Sequence, residues 1–198
     1  MFRPGFCCVE RTRRVALIAW FAAAVAGCSA DDEPGAAAPC EATCQDAIAL
    51  RAVRETMKFM FNITLQAQPV GAQDVTEDCA TSGSAHIFGQ ASSVPEQGAT
   101  LVDLTYDFDD CGYLERDDER DENYSVTISA LLTQRGTLAV QPSATTAIVI
   151  ESDSLTLSGT VSDPPIDYSV AQCAFTLAQN GDELSGTICG REAGIDEL

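Results

Sequence analysis

Basic residues are scarce in this chain: 11 Lys and Arg stand against 30 Asp and Glu in 198 residues, a formal net charge of −19. Such a surface repels phosphate backbones, which excludes nucleic acid as an expected partner, and it suits a cationic protein partner or a divalent ion. Histidine is scarcer still. The single His86 sits in Ser84-Ala85-His86-Ile87-Phe88, a strand-like run in which an exposed imidazole is expected rather than a general base. No Gly-x-Ser-x-Gly elbow, His-Glu-x-x-His pair, phosphate-binding loop or dinucleotide glycine fingerprint occurs. No Cys-x-x-Cys pair offers a zinc site. Non-enzymatic function is the expectation. Long hydrophobic runs are missing too. The apolar run near the start, Val15 to Gly27, is shorter than the roughly 20 residues a spanning helix needs.

What is present at the start is an export pattern. Arg3, Arg11, Arg13 and Arg14 precede that short apolar run, which ends in small residues, as in a secretory signal. Val25-Ala26-Gly27-Cys28 resembles the lipobox of bacterial lipoproteins. The resemblance implies cleavage before Cys28, a diacylglycerol on its thiol and further acylation of its amine. Several acyl chains hold more firmly than the marginal grip of one, so the expected membrane contact is this lipid anchor, with no other cofactor. Ser29 follows where an Asp would signal inner-membrane retention, so the resemblance points to the outer membrane, facing the periplasm or the cell surface.

The expected organisation is a cleaved signal over 1–27, the lipidated cysteine with an acidic Pro/Ala tether over 28–39, and a single domain over 40–198. Residues 28–198 retain 7 basic and 29 acidic side chains. They also retain Cys40, Cys44, Cys79, Cys111, Cys173 and Cys189 besides Cys28, and six cysteines in an exported chain read as three disulfides among 15 possible connectivities. Asn180-Gly181 between Leu177 and Leu184 is a hairpin signal. A turn on those two residues sets Cys173 opposite Ile188, and a three-residue loop sets it opposite Cys189. Pairing Cys173 with Cys189 and Cys79 with Cys111 leaves Cys40 with Cys44. That last pair is awkward inside a regular helix, where Cβ atoms at i and i+4 lie ~5–6 Å apart, beyond the ~3.5–4.5 Å of a disulfide.

From Cys40 to about Thr64 the spacing is helical. Leu50, Val53, Met57, Met60 and Phe61 fall on one face, and Arg51, Arg54, Glu55 and Lys58 on a solvated, locally cationic one. After Cys79 the period becomes two: Leu104, Tyr106 and Phe108, then Tyr124 to Leu132, then Leu155 to Val161. With Ala80–Gln90, Gly136–Gln141, Ala147–Ile150, Ile166–Leu177 and Leu184–Cys189 this makes about eight strands. The expected fold is α+β, an N-terminal amphipathic helix packed on a mainly antiparallel, disulfide-stapled β-meander, flat or curled into a partial barrel. Glycines recurring in Leu157-Ser158-Gly159 and Leu184-Ser185-Gly186 suggest a groove for the helix if they align across the sheet.

Function is read as a lipid-anchored envelope protein of structural or binding type. The alternative is a carrier of a lipid or other apolar ligand beneath the helix. A further alternative is a calcium-dependent or hydrolytic module built on the acidic stretch from Asp107 to Glu122. There Asp107, Asp109 and Gly112 match part of a calcium-loop pattern and Asp118 falls where its bidentate acid belongs, although Cys111 takes a ligand position.

Overall fold

The structure, a computed structural model, describes residues 40–66, 68, 70–116, 123–140 and 144–195. The signal, the tether and Cys28 lie outside the described residues, as does Asp118. One helix, α1 (Ala42–Thr64), is followed by eight strands: β1 (Gly71–Asp78), β2 (Ser82–Val94), β3 (Ala99–Glu115), β4 (Tyr124–Ala139), β5 (Ala147–Val161), β6 (Ile166–Asn180), β7 (Glu183–Ile188) and β8 (Arg191–Ile195). Each strand pairs antiparallel with the next, in the order β1 to β8. The sheet is a meander and it is open, with β1 and β8 as its two edges. Among the described residues no helix is long and apolar enough to cross a membrane.

The number of strands agrees with the expectation, but their identities do not. Of the run expected from Gly136 to Gln141, Gly136 to Ala139 is the continuation of β4 and Gln141 lies outside the described residues, while Ala147–Ile150 and Leu155–Val161 are one strand, β5. Bulges explain the apparent breaks. In β5 the buried residues run Ile148, Ile150, Ser152 and then Leu155, Leu157, across a register shift between Ser152 and Leu155. An extra residue flips the inward face without ending the strand. The same happens in β3, where Tyr106 and Phe108 point inward before the shift and Cys111 and Tyr113 after it, with Asp110 at φ 49° between them. The two edge strands escape a search for alternation. β1 has no buried residue, and β8 is five residues long.

The recurring glycines do not align across the sheet. Gly159 pairs with Val126 on one side and Tyr168 on the other, and Gly136 with Val102 and Ile148. Their role is close approach of neighbouring backbones. Gly159 has φ +147°, and a Cβ there would lie 2.0 Å from the Ser125 carbonyl oxygen; at Gly136, with φ +126°, it would lie 2.2 Å from that of Ala147.

One hydrophobic cluster contains Leu50, Val53, Met57 and Met60 of the helix together with Ile87, Leu104, Tyr106, Ile128, Leu132, Ile150, Leu157, Phe175 and Ile188 of the strands. The helix comes near β1, β3, β4, β5, β7 and β8, so it meets both edges of the sheet. The expected solvated cationic face is not found. Arg51 is buried, Arg54 and Glu55 are half-buried, and only Lys58 of that set is exposed. Buried polar groups within the helix are satisfied locally in part: the Thr56 hydroxyl donates to the Ala52 carbonyl at 2.7 Å and that of Thr64 to Met60 at 2.6 Å.

Three disulfides staple the domain: Cys40–Cys44, Cys79–Cys111 and Cys173–Cys189. Cys40 precedes the helix, which begins at Ala42 after an extended Glu41, so the first bridge is not bound by regular helix spacing and its Cα atoms are 5.3 Å apart. The β6–β7 turn falls on Gly181-Asp182, one residue later than expected. Asn180 therefore faces Glu183 and Phe175 faces Ile188. Cys189 lies just past β7 with φ 52°, its N–H bonded to the Ala174 carbonyl at 3.0 Å, and reaches Cys173 from there.

Candidate functional site

Two arrangements bring together side chains from distant parts of the chain. The first is a clasp at the start of the helix. Asp46, 2% exposed, accepts two hydrogen bonds from Arg191 of β8, from Nε to Oδ2 and from Nη2 to Oδ1, both 2.7 Å. The Tyr168 hydroxyl of β6 donates to Oδ1 at 2.6 Å. Burial alone would raise the Asp46 pKa, but the bonds from Arg191 and Tyr168 outweigh it and hold the carboxyl below its ordinary value. A carboxylate so fully engaged has its oxygens occupied and is ill placed to take a substrate proton.

The second arrangement is a groove at the other end of the helix. One cleft of about 160 Å³ is floored by Met57, Phe61, Leu138, Ile148 and Ile150, with Arg54, Lys58 and Gln134 also in its wall. A second, of about 310 Å³, shares Phe61, Asn62, Leu138 and Ala139 with it and extends past Leu65 towards Val140. Phe61, expected as a core residue, is only partly buried and stands where the two clefts meet. Gln134 is 4% exposed and its Oε1 has no hydrogen-bond partner among the described residues. It lies on β4 opposite Leu104 and Ile150, continuing the inward phase of Tyr124, Val126, Ile128, Ala130 and Leu132. That phase was the signal in the sequence: the alternation runs two residues further than its apolar members. At the rim Arg54 donates from Nε to Gln179 Oε1 at 3.0 Å and pairs with Glu55, while Lys58 lies 3.3 Å from the same carboxylate.

The acidic residues singled out from the sequence are placed differently. Asp107 and Asp109 belong to β3, opposite His86 and Ser84, so the acidic stretch matched to a calcium loop is strand as far as Glu115. Asp110 accepts from the Ser129 hydroxyl at 2.7 Å. Among the described residues no three His, Cys, Asp or Glu side chains gather as a metal cluster. His86, expected to be exposed, is half-buried; its ring lies tilted against that of Phe88 and bonds through Nε2 to Asp74 Oδ1 at 2.8 Å across the β1–β2 pair. Burial pushes the hydroxyls of Tyr106, Tyr113, Tyr124 and Tyr168 well above the ordinary phenol value.

No family model, curated protein or solved structure matches this chain.

Proposed function

We propose that the chain is a lipid-anchored envelope protein of structural or binding type and not an enzyme, in which α1 is packed on the sheet as permanent core rather than as a lid. The observation that carries this reading is the complete burial of Leu50, Val53, Met57 and Met60, each at most 1% exposed, in one cluster with the inward residues of the strands. A lid opening over a lipid cavity would have to expose all four, at roughly 1.5–3 kcal/mol for each side chain. The Asp46 clasp adds a second tie, since lifting the helix would part a buried carboxylate from Arg191 and Tyr168. The anchor is proposed from the Val25-Ala26-Gly27-Cys28 pattern, with localisation to the outer membrane following from it. The carrier reading has its own support in the two clefts beside Phe61, the first of which runs along the helix from Arg54 to Asn62.

The anchor is tested by Cys28→Ala. Labelled fatty acid should be incorporated by the wild-type protein and lost in the variant, which should remain uncleaved or become soluble; equal labelling of the two would refute the anchor.

A further inference from the structure

We propose that the free edge of β1 is a docking site for an extended basic strand of another protein. This deepens the binding half of the reading above and rests on it. β1 has a strand neighbour on one side only, and the backbone N–H and C=O groups of its other side form a template for one more strand. Folds blunt such edges by keeping them short, by bending them at a bulge, or with proline and charge. The opposite edge, β8, is five residues long and is tied to the helix through Arg191. β1 runs for eight residues in unbroken register with β2, has no proline or lysine, and has no buried residue.

What it carries is charge of one sign. Asp74, Glu77 and Asp78 are exposed, Asp74 to 83%. The register continues the acid across the same face: Asp78 lies in line with Ser84 and Asp109, and Thr76 with His86 and Asp107. Between Lys58 and Arg116 the sequence has no Lys or Arg. That sign selects the occupant. A second copy paired antiparallel about Thr76 would set Asp74 against Asp78, and like charges directly opposite destabilise a strand pair. The acids Asp31, Asp32 and Glu33 of this chain's own tether are repelled in the same way. A strand with Lys or Arg four residues apart presents both on one face, one against Asp74 and one against Asp78. Phe88, exposed and opposite Asp74, receives the methylene stem of the first. Apolar residues on the strand's other face continue the inner side, where Val75 is half-buried. Main-chain bonds then supply affinity, and the acids fix register and reject acidic strands.

The probe is a fluorescent eight-residue peptide that alternates lysine and valine, added to the full chain in nanodiscs of neutral phosphatidylcholine, with empty nanodiscs as the blank. It should bind saturably and slow amide deuterium exchange at least fivefold in the fragment covering β1, leaving fragments from β6 to β8 unchanged. The same peptide with proline for valine keeps its charge but cannot add a strand, and it should bind at least tenfold more weakly. Glutamate in place of lysine should weaken binding as much. Asp74→Asn combined with Asp78→Asn, both exposed changes, should weaken it at least threefold. Equal binding of the proline peptide would reduce the contact to diffuse charge attraction and overturn the proposal. So would absence of saturable binding, equal binding of the glutamate peptide, undiminished binding by the double variant, protection away from β1, or association of the chain with itself through β1. Any of these results would leave the packed-helix reading standing, because that reading is decided by unfolding and not by titration.

Discussion

Arg191, four residues from the end of the last strand, grips Asp46, in the first turns of the helix, by two parallel hydrogen bonds of 2.7 Å across 145 positions of sequence. The pair joins the beginning of the domain to its end, and Asp46 is the buried partner. Arg191→Ala leaves a buried carboxylate held only by Tyr168. The Arg191 side chain is about half exposed, so the expected loss is reduced from that of a sealed pair to about 1.5–3 kcal/mol, the range for hydrogen bonds to charged groups. Denaturant unfolding at neutral pH measures it.

The same clasp gives a pH dependence whose sign follows from the lowered Asp46 pKa. The folded state binds this proton less readily than the unfolded chain does. Its contribution is therefore complete above the unfolded value of about 3.9 and is lost as pH falls through the lower folded value. Asp46→Asn should be less stable than wild type at pH 7, with the difference shrinking between pH 4 and pH 2. A constant difference across that interval would show that the carboxylate charge is not involved.

The three disulfides should rank by loop length. With separations of 32, 16 and 4 residues, the chain-entropy estimate gives about 4, 3 and 2 kcal/mol for Cys79–Cys111, Cys173–Cys189 and Cys40–Cys44. Paired Cys→Ala variants unfolded in denaturant should follow that order, and non-reducing peptide mapping should recover the three links.

Helix and strands were legible in the sequence wherever burial repeats with a constant phase. Leu50, Val53, Met57 and Met60 mark α1, and Tyr124 to Leu132 mark the first half of β4. The reading broke down where the phase changes, as at the bulge between Ser152 and Leu155, and where no face is buried, as in β1. The polar side of the helix differs from expectation because helical spacing shows which residues share a face and not which faces are buried, and Arg51 is buried with the apolar residues. Asp46 lies four positions before Leu50 on the same stripe and Gln134 two positions after Leu132, so both were in phase with the core. Their contacts were not readable, because Arg191 and Ile150 reach them only through tertiary structure.

Gln134→Leu provides a direct check on the unpartnered amide. If Oε1 is unsatisfied in the free protein, replacement by an apolar group of similar length should stabilise the domain by about 1–3 kcal/mol. The loss of stability usual for a core substitution is not expected. Calorimetry without ligand reads the sign, and a destabilised variant would mean that the amide has a partner in solution.

The most direct test of the packed helix is Met60→Ala, because Met60 has no exposed surface and stands apart from the cleft. As permanent core it should lose about 2–5 kcal/mol. Far-UV dichroism during heating should show the same loss with and without added phospholipid or fatty acid. A loss under about 1 kcal/mol in the free protein, together with much stronger ligand stabilisation of wild type than of the variant, would contradict the packed helix and return α1 to the role of a lid.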